Sequence, residues 1–311
     1  MSYPKPFILQ RADPHMSKGP DDYYYFTASV PQYDRIELRR AEHIDELPSA
    51  PATDIWHAPD SGPYSSLIWA PELHYLFDQW VIYFAAAPNR DIVDGLFQHR
   101  MYAVGNKSKN PFATDWEFLG QVDSGIDTFC LDATHFEHNG QSYYVWAQKD
   151  NEIPGNSNLY ISTLSSPTQL ANSPVRLSIP DKPWEQRGFK VNEGPAALIR
   201  NGKVMITYSA SATDENYCMG LLWADQDADL LDASNWHKSD EPIFTTNYNQ
   251  EIFGPGHNSF VTDEQGNDLL VYHARNYTEI EGDPLWDPNR HTRIQTVHYD
   301  NEGLVELGEA L

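Results

Sequence analysis

A short motif built on a polar residue, followed by a turn and a dense aromatic strand, occurs five times along this chain. The copies are ADPH at Asp13, WAPE at Glu72, LDAT at Asp132, NEGP at Glu193 and GHNSF at His257, at intervals of 59, 60, 61 and 64 residues. A period near sixty sustained over almost the whole length is the mark of a repeat architecture. A unit of that size cannot bury an adequate core by itself, so neighbouring units must stack to supply one. Five units account for residues 1–311 as one domain.

Each unit divides into about four strands. After the polar residue comes a turn (KGPDD, FDQ, HNG, RNG, DEQGN), with Asn-Gly at 139–140 and 201–202 as the strongest hairpin signals. The second strands are nearly continuous apolar runs: YYYFTA, WVIYFAA, YYVWAQ, VMITYSA and LLVYHA. Such runs suit strands covered on both faces. Third strands are mixed, and fourth strands (DIWHA, WEFLGQV, VRLSI, WHKSDEPIF, LVELGEA) are short. No long 3.6-residue periodicity competes with this pattern. Four antiparallel strands repeated five times predict an all-β, five-bladed β-propeller. The first strand of each blade then lines a central channel, and the five polar residues converge at its mouth. The N-terminal KPFILQ is expected to complete the last blade and close the ring.

Composition narrows the partners. A net charge of −24 repels a phosphate backbone, which argues against nucleic acid and leaves a neutral ligand such as a sugar open. The two cysteines, Cys130 and Cys218, stand in no metal or redox spacing. No apolar run approaches the length of a membrane span, so no membrane partner is expected. MSYPKPFILQ lacks a basic segment followed by an apolar one, and the location expected on that ground is cytoplasmic. Oligomeric state is not legible.

Carboxylates gathered in a poorly hydrated pocket repel one another, and at least one pKa must rise. A raised carboxylic acid opposite an ionised carboxylate is what glycosidic hydrolysis needs: one protonates the leaving oxygen, the other activates water or attacks the sugar. Taken together and in this order, the five motifs resemble glycoside hydrolase family 43. The opening QRADPH…YYYFTASVPQYDRIELRRA looks most like the family's exo-α-L-arabinofuranosidase branch.

The resemblance implies roles. Asp13 matches the general base of an inverting reaction, Glu193 the general acid, and Asp132 the carboxylate that orients the acid and raises its pKa. His257 matches a channel histidine that in relatives holds a water or a metal ion. No cofactor is required on this reading, and a structural Ca2+ in the channel is compatible with it. Arg293, in RHTRIQ, matches an arginine contacting the catalytic carboxylates. Glu72, Trp69, Tyr217 and Phe129 are candidate substrate-binding residues, with Trp286 as another aromatic near the mouth. Inversion requires the acid and base about 6.5–9.5 Å apart, with a water between. The implied activity is release of terminal α-L-arabinofuranosyl units from oligosaccharides or polysaccharide side chains. A β-xylosidase, an endo-arabinanase, a retaining fructan-cleaving propeller and a non-catalytic carbohydrate-binding propeller stay open as alternatives.

Overall fold

Five antiparallel sheets follow one another along the chain in a computed structural model that describes residues 3–311, and they are arranged as the blades of a propeller. The first blade comprises Ala12–Lys18, Tyr24–Ser29, Arg35–Ala41 and Thr53–His57. The second comprises Ser66–Leu76, Gln79–Ala87, Arg100–Asn106 and Glu117–Gln121, and the third Cys130–His138, Gln141–Gln148, Asn158–Ser166 and Val175–Ser178. The fourth is Asn192–Arg200, Lys203–Ala210 and Cys218–Asp225, edged by His237–Lys238 and Phe244–Thr245. The fifth is Phe253–Thr262, Asp268–Arg275 and His291–Thr296. Helix is limited to three-residue 3-10 turns among the described residues.

The second strands are the best buried. In Gln79–Ala87 every residue after Gln79 is shielded from solvent, because neighbouring blades cover both faces. Four apolar clusters fill the spaces between blades, so the core is distributed around the ring and the channel is left to polar side chains.

Ring closure uses the N-terminus, as expected. Phe7 and Ile8 both donate to the carbonyl of Thr292, at 2.8 and 3.3 Å, and Thr292 N–H donates back to Ile8 at 2.9 Å. This short segment is the outer edge of the fifth blade. Ser259 Oγ ties the innermost strands of blades five and one, donating to the Pro14 carbonyl at 2.9 Å and accepting from Met16 N–H at 3.0 Å.

The C-terminal LVELGEA was expected as the fifth blade's fourth strand, and the structure bears this out for Val305–Glu306, which pairs antiparallel with His298–Tyr299, but corrects it for the residues that follow. Gly308–Glu309 pairs in parallel with Phe244–Thr245 at the edge of blade four. Gly308 and Ala310 donate to Ile243 and Thr245 at 3.0 and 3.1 Å. The outer part of blade four is broken into two-residue strands, and the C-terminus covers backbone groups that would otherwise form an open edge.

Candidate active site

Each innermost strand is interrupted near the channel mouth. Register slips between Ala12 and His15, Trp69 and Glu72, Leu131 and Ala133, Glu193 and Ala196, and Gly256 and Ser259. One residue in each bulge adopts a left-handed conformation: Asp13 (φ 54°), Ala70 (45°), Asp132 (50°), Gly194 (54°) and His257 (44°). Left-handed φ is uncommon outside glycine, and bulges of this kind re-aim side chains at functional sites. The structural repeat therefore runs through 13, 70, 132, 194 and 257. Glu193 lies one residue before its bulge and Glu72 two residues after.

That offset corrects the placement of Glu72. It is equivalent to His15 and Thr134, one layer down the channel, about 6–7 Å deeper at strand rise. Glu72 does not line the pocket at the mouth. Its Oε2 lies 3.0 Å from His74 Nε2 and 3.7 Å from His15 Nε2, and from its place outside the cavity lining it is not positioned to accept a sugar hydroxyl. Burial lowers the pKa values of His15 and His74 to about 4 and about 3 and raises that of Glu72.

His15, Glu72 and His74 form the one metal-like cluster among the described residues, with candidate ligand atoms within 4.8 Å of each other. Calcium takes six to eight oxygen ligands, and this set offers a single carboxylate beside two imidazoles. Leu73 N–H donates to His15 Nδ1 at 3.3 Å, which leaves the ring proton on Nε2, the nitrogen facing Glu72. These three side chains alone do not make up a calcium coordination shell, and His257 turns its Nδ1 to the carboxylates of Asp13 and Asp132.

Above this layer lies a cavity of about 510 Å³ lined from all five blades. Asp13, Asp132, Glu193, His257, Trp69, Tyr217 and Phe129 all line it. Asp13 receives Ser29 Oγ at 2.5 Å on Oδ2, with Arg290 Nη1 at 3.3 Å and His257 Nδ1 at 3.4 Å on Oδ1. Burial favours the neutral acid, but Arg290, His257 and His273 outweigh it and hold Asp13 well below the ordinary carboxylate range. Asp13 is thereby held as an anion near neutral pH.

Glu193 is the opposite case. Burial pushes its pKa up to about 7; Tyr217, donating to Oε1 at 2.8 Å, pulls it down, and the Asp13 charge pushes it up again. Asp132 is also raised, first by burial and then by repulsion from Glu193 and Asp13, although Gly194 N–H donates to its Oδ2 at 3.1 Å. The pocket thus holds one carboxylate kept ionised and two whose pKa values are raised, that of Glu193 to about 7. That separation marks an acid and a base.

The arginine at the site is Arg290, which corrects the reading of Arg293. Arg293 pairs with Tyr272 within the fifth blade's sheet and is buried there, away from the cavity lining. Arg290 precedes that strand, sits at the mouth, and also donates to Tyr33 Oη at 3.1 Å. It stands in PNRHTR three residues earlier, and only the strand boundary distinguishes the two.

Trp69 stacks on His99 at 4.0 Å, and its indole Nε1 has no hydrogen-bond partner. Trp286 is 41% exposed and stays outside the lining, packed near Tyr33 beneath the Arg90 guanidinium. Two wall elements escaped the sequence reading: the hairpin Ile92–Val93/Leu96–Phe97, and the loop 283–285, tied down by Arg275 through the carbonyls of Thr213 and Pro284 at 2.6 and 2.7 Å.

Comparison with known proteins agrees with this geometry. The chain is 48% identical over 310 residues to "Alpha-L-arabinofuranosidase 43" of Humicola insolens, covering 99% of this chain and 63% of that protein. It is 47% identical over 283 residues to "Extracellular exo-alpha-(1->5)-L-arabinofuranosidase" of Streptomyces chartreusis, covering 91% and 85%. The chain therefore spans less than two thirds of the Humicola relative. The crystal structure of an alpha-L-arabinofuranosidase from Lactobacillus brevis superposes with a TM-score of 0.97 at 51% identity, covering 99% of this chain and 97% of that one. The expectation of a cytoplasmic location is corrected, since the Streptomyces relative is named as extracellular. The sequence profile of glycosyl hydrolases family 43 matches residues 3–305, and the chain belongs to that family.

Proposed function

We propose that this protein is an exo-acting, inverting α-L-arabinofuranosidase that removes terminal units from α-1,5-linked arabino-oligosaccharides or arabinosyl side chains. The observation that carries the reading is the divergence of two carboxyls in one cavity: Asp13 held ionised by Arg290, Glu193 raised to about 7 by burial. The relatives named as arabinofuranosidases support the choice of sugar.

Glu193 delivers its proton to the departing glycosidic oxygen. Asp13 takes a proton from a water that attacks the anomeric carbon from the other side, so the product emerges with inverted configuration. Burial and the Asp13 charge set against Tyr217 and Arg290 hold Glu193 between its two states, while Asp132 anchors the neighbouring Gly194 N–H. A wall contributed by every blade, with a floor of Asp13, Asp132 and His257, suits a chain end better than a chain interior. Both the acid and the base are side chains, and no step draws on an ion.

The test compares 4-nitrophenyl α-L-arabinofuranoside with the matched β-D-xylopyranoside, with Asp13→Asn as control. Preference for the arabinoside, lost in the variant, supports the proposal. Preference for the xyloside would change the sugar. A folded protein inactive on both and on arabino-oligosaccharides would leave a carbohydrate-binding propeller.

A further inference from the structure

We propose that Phe189 is the platform for the sugar on the leaving-group side of the scissile bond, a specificity-determining residue; the proposal rests on the functional reading above. Phe189 is 56% exposed, yet it lines the cavity. It belongs to none of the apolar clusters that hold the blades together. Ligand pockets are lined mainly by apolar and aromatic side chains, and an exposed ring on the wall of this one is a face that a ligand can cover.

The loop that carries it is pinned on both sides. Arg187 N–H donates to Ser211 Oγ at 2.9 Å and Ala212 N–H to the Arg187 carbonyl at 2.8 Å. On the other flank, Asn156 N–H donates to the Lys190 carbonyl at 2.7 Å, and Asn192 N–H to Ser157 at 3.1 Å. Gly188 runs at φ +76°, and a Cβ there would come within 2.7 Å of the Ala212 methyl. The backbone on either side of Phe189 is thereby fixed, and little conformational freedom remains to be lost on binding.

Position decides which sugar it meets. Phe189 lies four residues before Glu193, on the loop that enters the strand carrying the acid. The base Asp13 belongs to blade one and is flanked by Arg290. The group that departs with the acid's proton leaves on the Glu193 side and passes Phe189. A sugar ring offers C–H bonds on one face, and an aromatic ring takes that face by apolar contact.

The experiment compares α-1,5-arabinobiose with α-L-arabinofuranosyl fluoride, whose leaving group has no face to stack. Phe189→Ala is expected to lower kcat/KM for arabinobiose about tenfold, which corresponds to about 1.4 kcal/mol, while the fluoride stays within twofold and Phe189→Tyr restores arabinobiose. Unchanged arabinobiose hydrolysis in Phe189→Ala, or a parallel fall on the fluoride, would overturn the platform. A wild-type protein that hydrolyses neither substrate would instead overturn the functional reading, and this proposal with it.

Discussion

The phenol of Tyr217 donates a 2.8 Å hydrogen bond to Oε1 of Glu193, and with the more distant Arg290 charge it opposes the burial that favours the protonated acid. Burial and the Asp13 charge favour the protonated acid, and Tyr217 favours the anion. Tyr217→Phe removes the one partner that stabilises the charged form through a hydrogen bond, so the Glu193 pKa rises. Activity requires Glu193 protonated and falls as pH climbs through about 7 in the wild type. In the variant that basic limb moves to higher pH. The pH dependence of kcat/KM on arabinobiose measures it.

Arg290 acts on the other limb. Its guanidinium is the chief reason Asp13 stays ionised in a buried site. Arg290→Gln lets the Asp13 pKa climb, so the acidic limb of kcat/KM shifts upward. Lost positioning is expected to lower the rate by roughly 10²-fold. Arg293→Gln leaves the acidic limb where it is. A shift in the Arg293 variant alone would reverse the assignment.

Stability and catalysis should oppose each other at Glu193. Its pKa rises from an ordinary 4.5 to about 7 on folding. The group's stabilising contribution is therefore full below about 4.5 and is lost as pH rises through about 7. Glutamine cannot ionise, and it still accepts from Tyr217. Glu193→Gln is expected to melt above the wild type at pH 8, by roughly 1.5 °C per kcal/mol recovered, and to match it near pH 4. Calorimetry at the two pH values checks both.

Removing residues 1–8 strips the outer edge of blade five. The loss comprises three backbone hydrogen bonds and the buried side chains of Phe7 and Ile8. At about 1.5–3 kcal/mol for each side chain, the truncated protein should unfold at least several degrees lower. An unchanged melting temperature would show that the ring holds without this edge.

Much of the fold was legible because the physical signal repeats. Dense second strands, Asn-Gly turns and a sixty-residue period all express one blade, and five copies average out local ambiguity. The pocket residues Asp13, Asp132 and His257 fell on the period because each occupies the left-handed bulge position. Glu72 misled because the bulge of its blade sits at Ala70: WAPE resembles the other motifs in letters, but its acid is two residues deep. Arg293 misled because a strand start moves by three residues without any change in composition. The C-terminal segment divides, Val305–Glu306 pairing with His298–Tyr299 and Gly308–Glu309 crossing to the broken outer edge of blade four, and nothing in its composition marks the point of division. Phe189 carries no sequence signal; its importance comes from being pinned and exposed together.

The most direct test follows the anomeric proton by 1H NMR during hydrolysis of 4-nitrophenyl α-L-arabinofuranoside at high enzyme concentration. Asp13 acting as base on a water predicts that β-L-arabinofuranose appears first and equilibrates afterwards, and that Asp13→Asn abolishes its formation. Initial accumulation of the α-anomer would mean that a carboxylate attacks the sugar directly, and would contradict the assignment of Asp13 and Glu193 as base and acid.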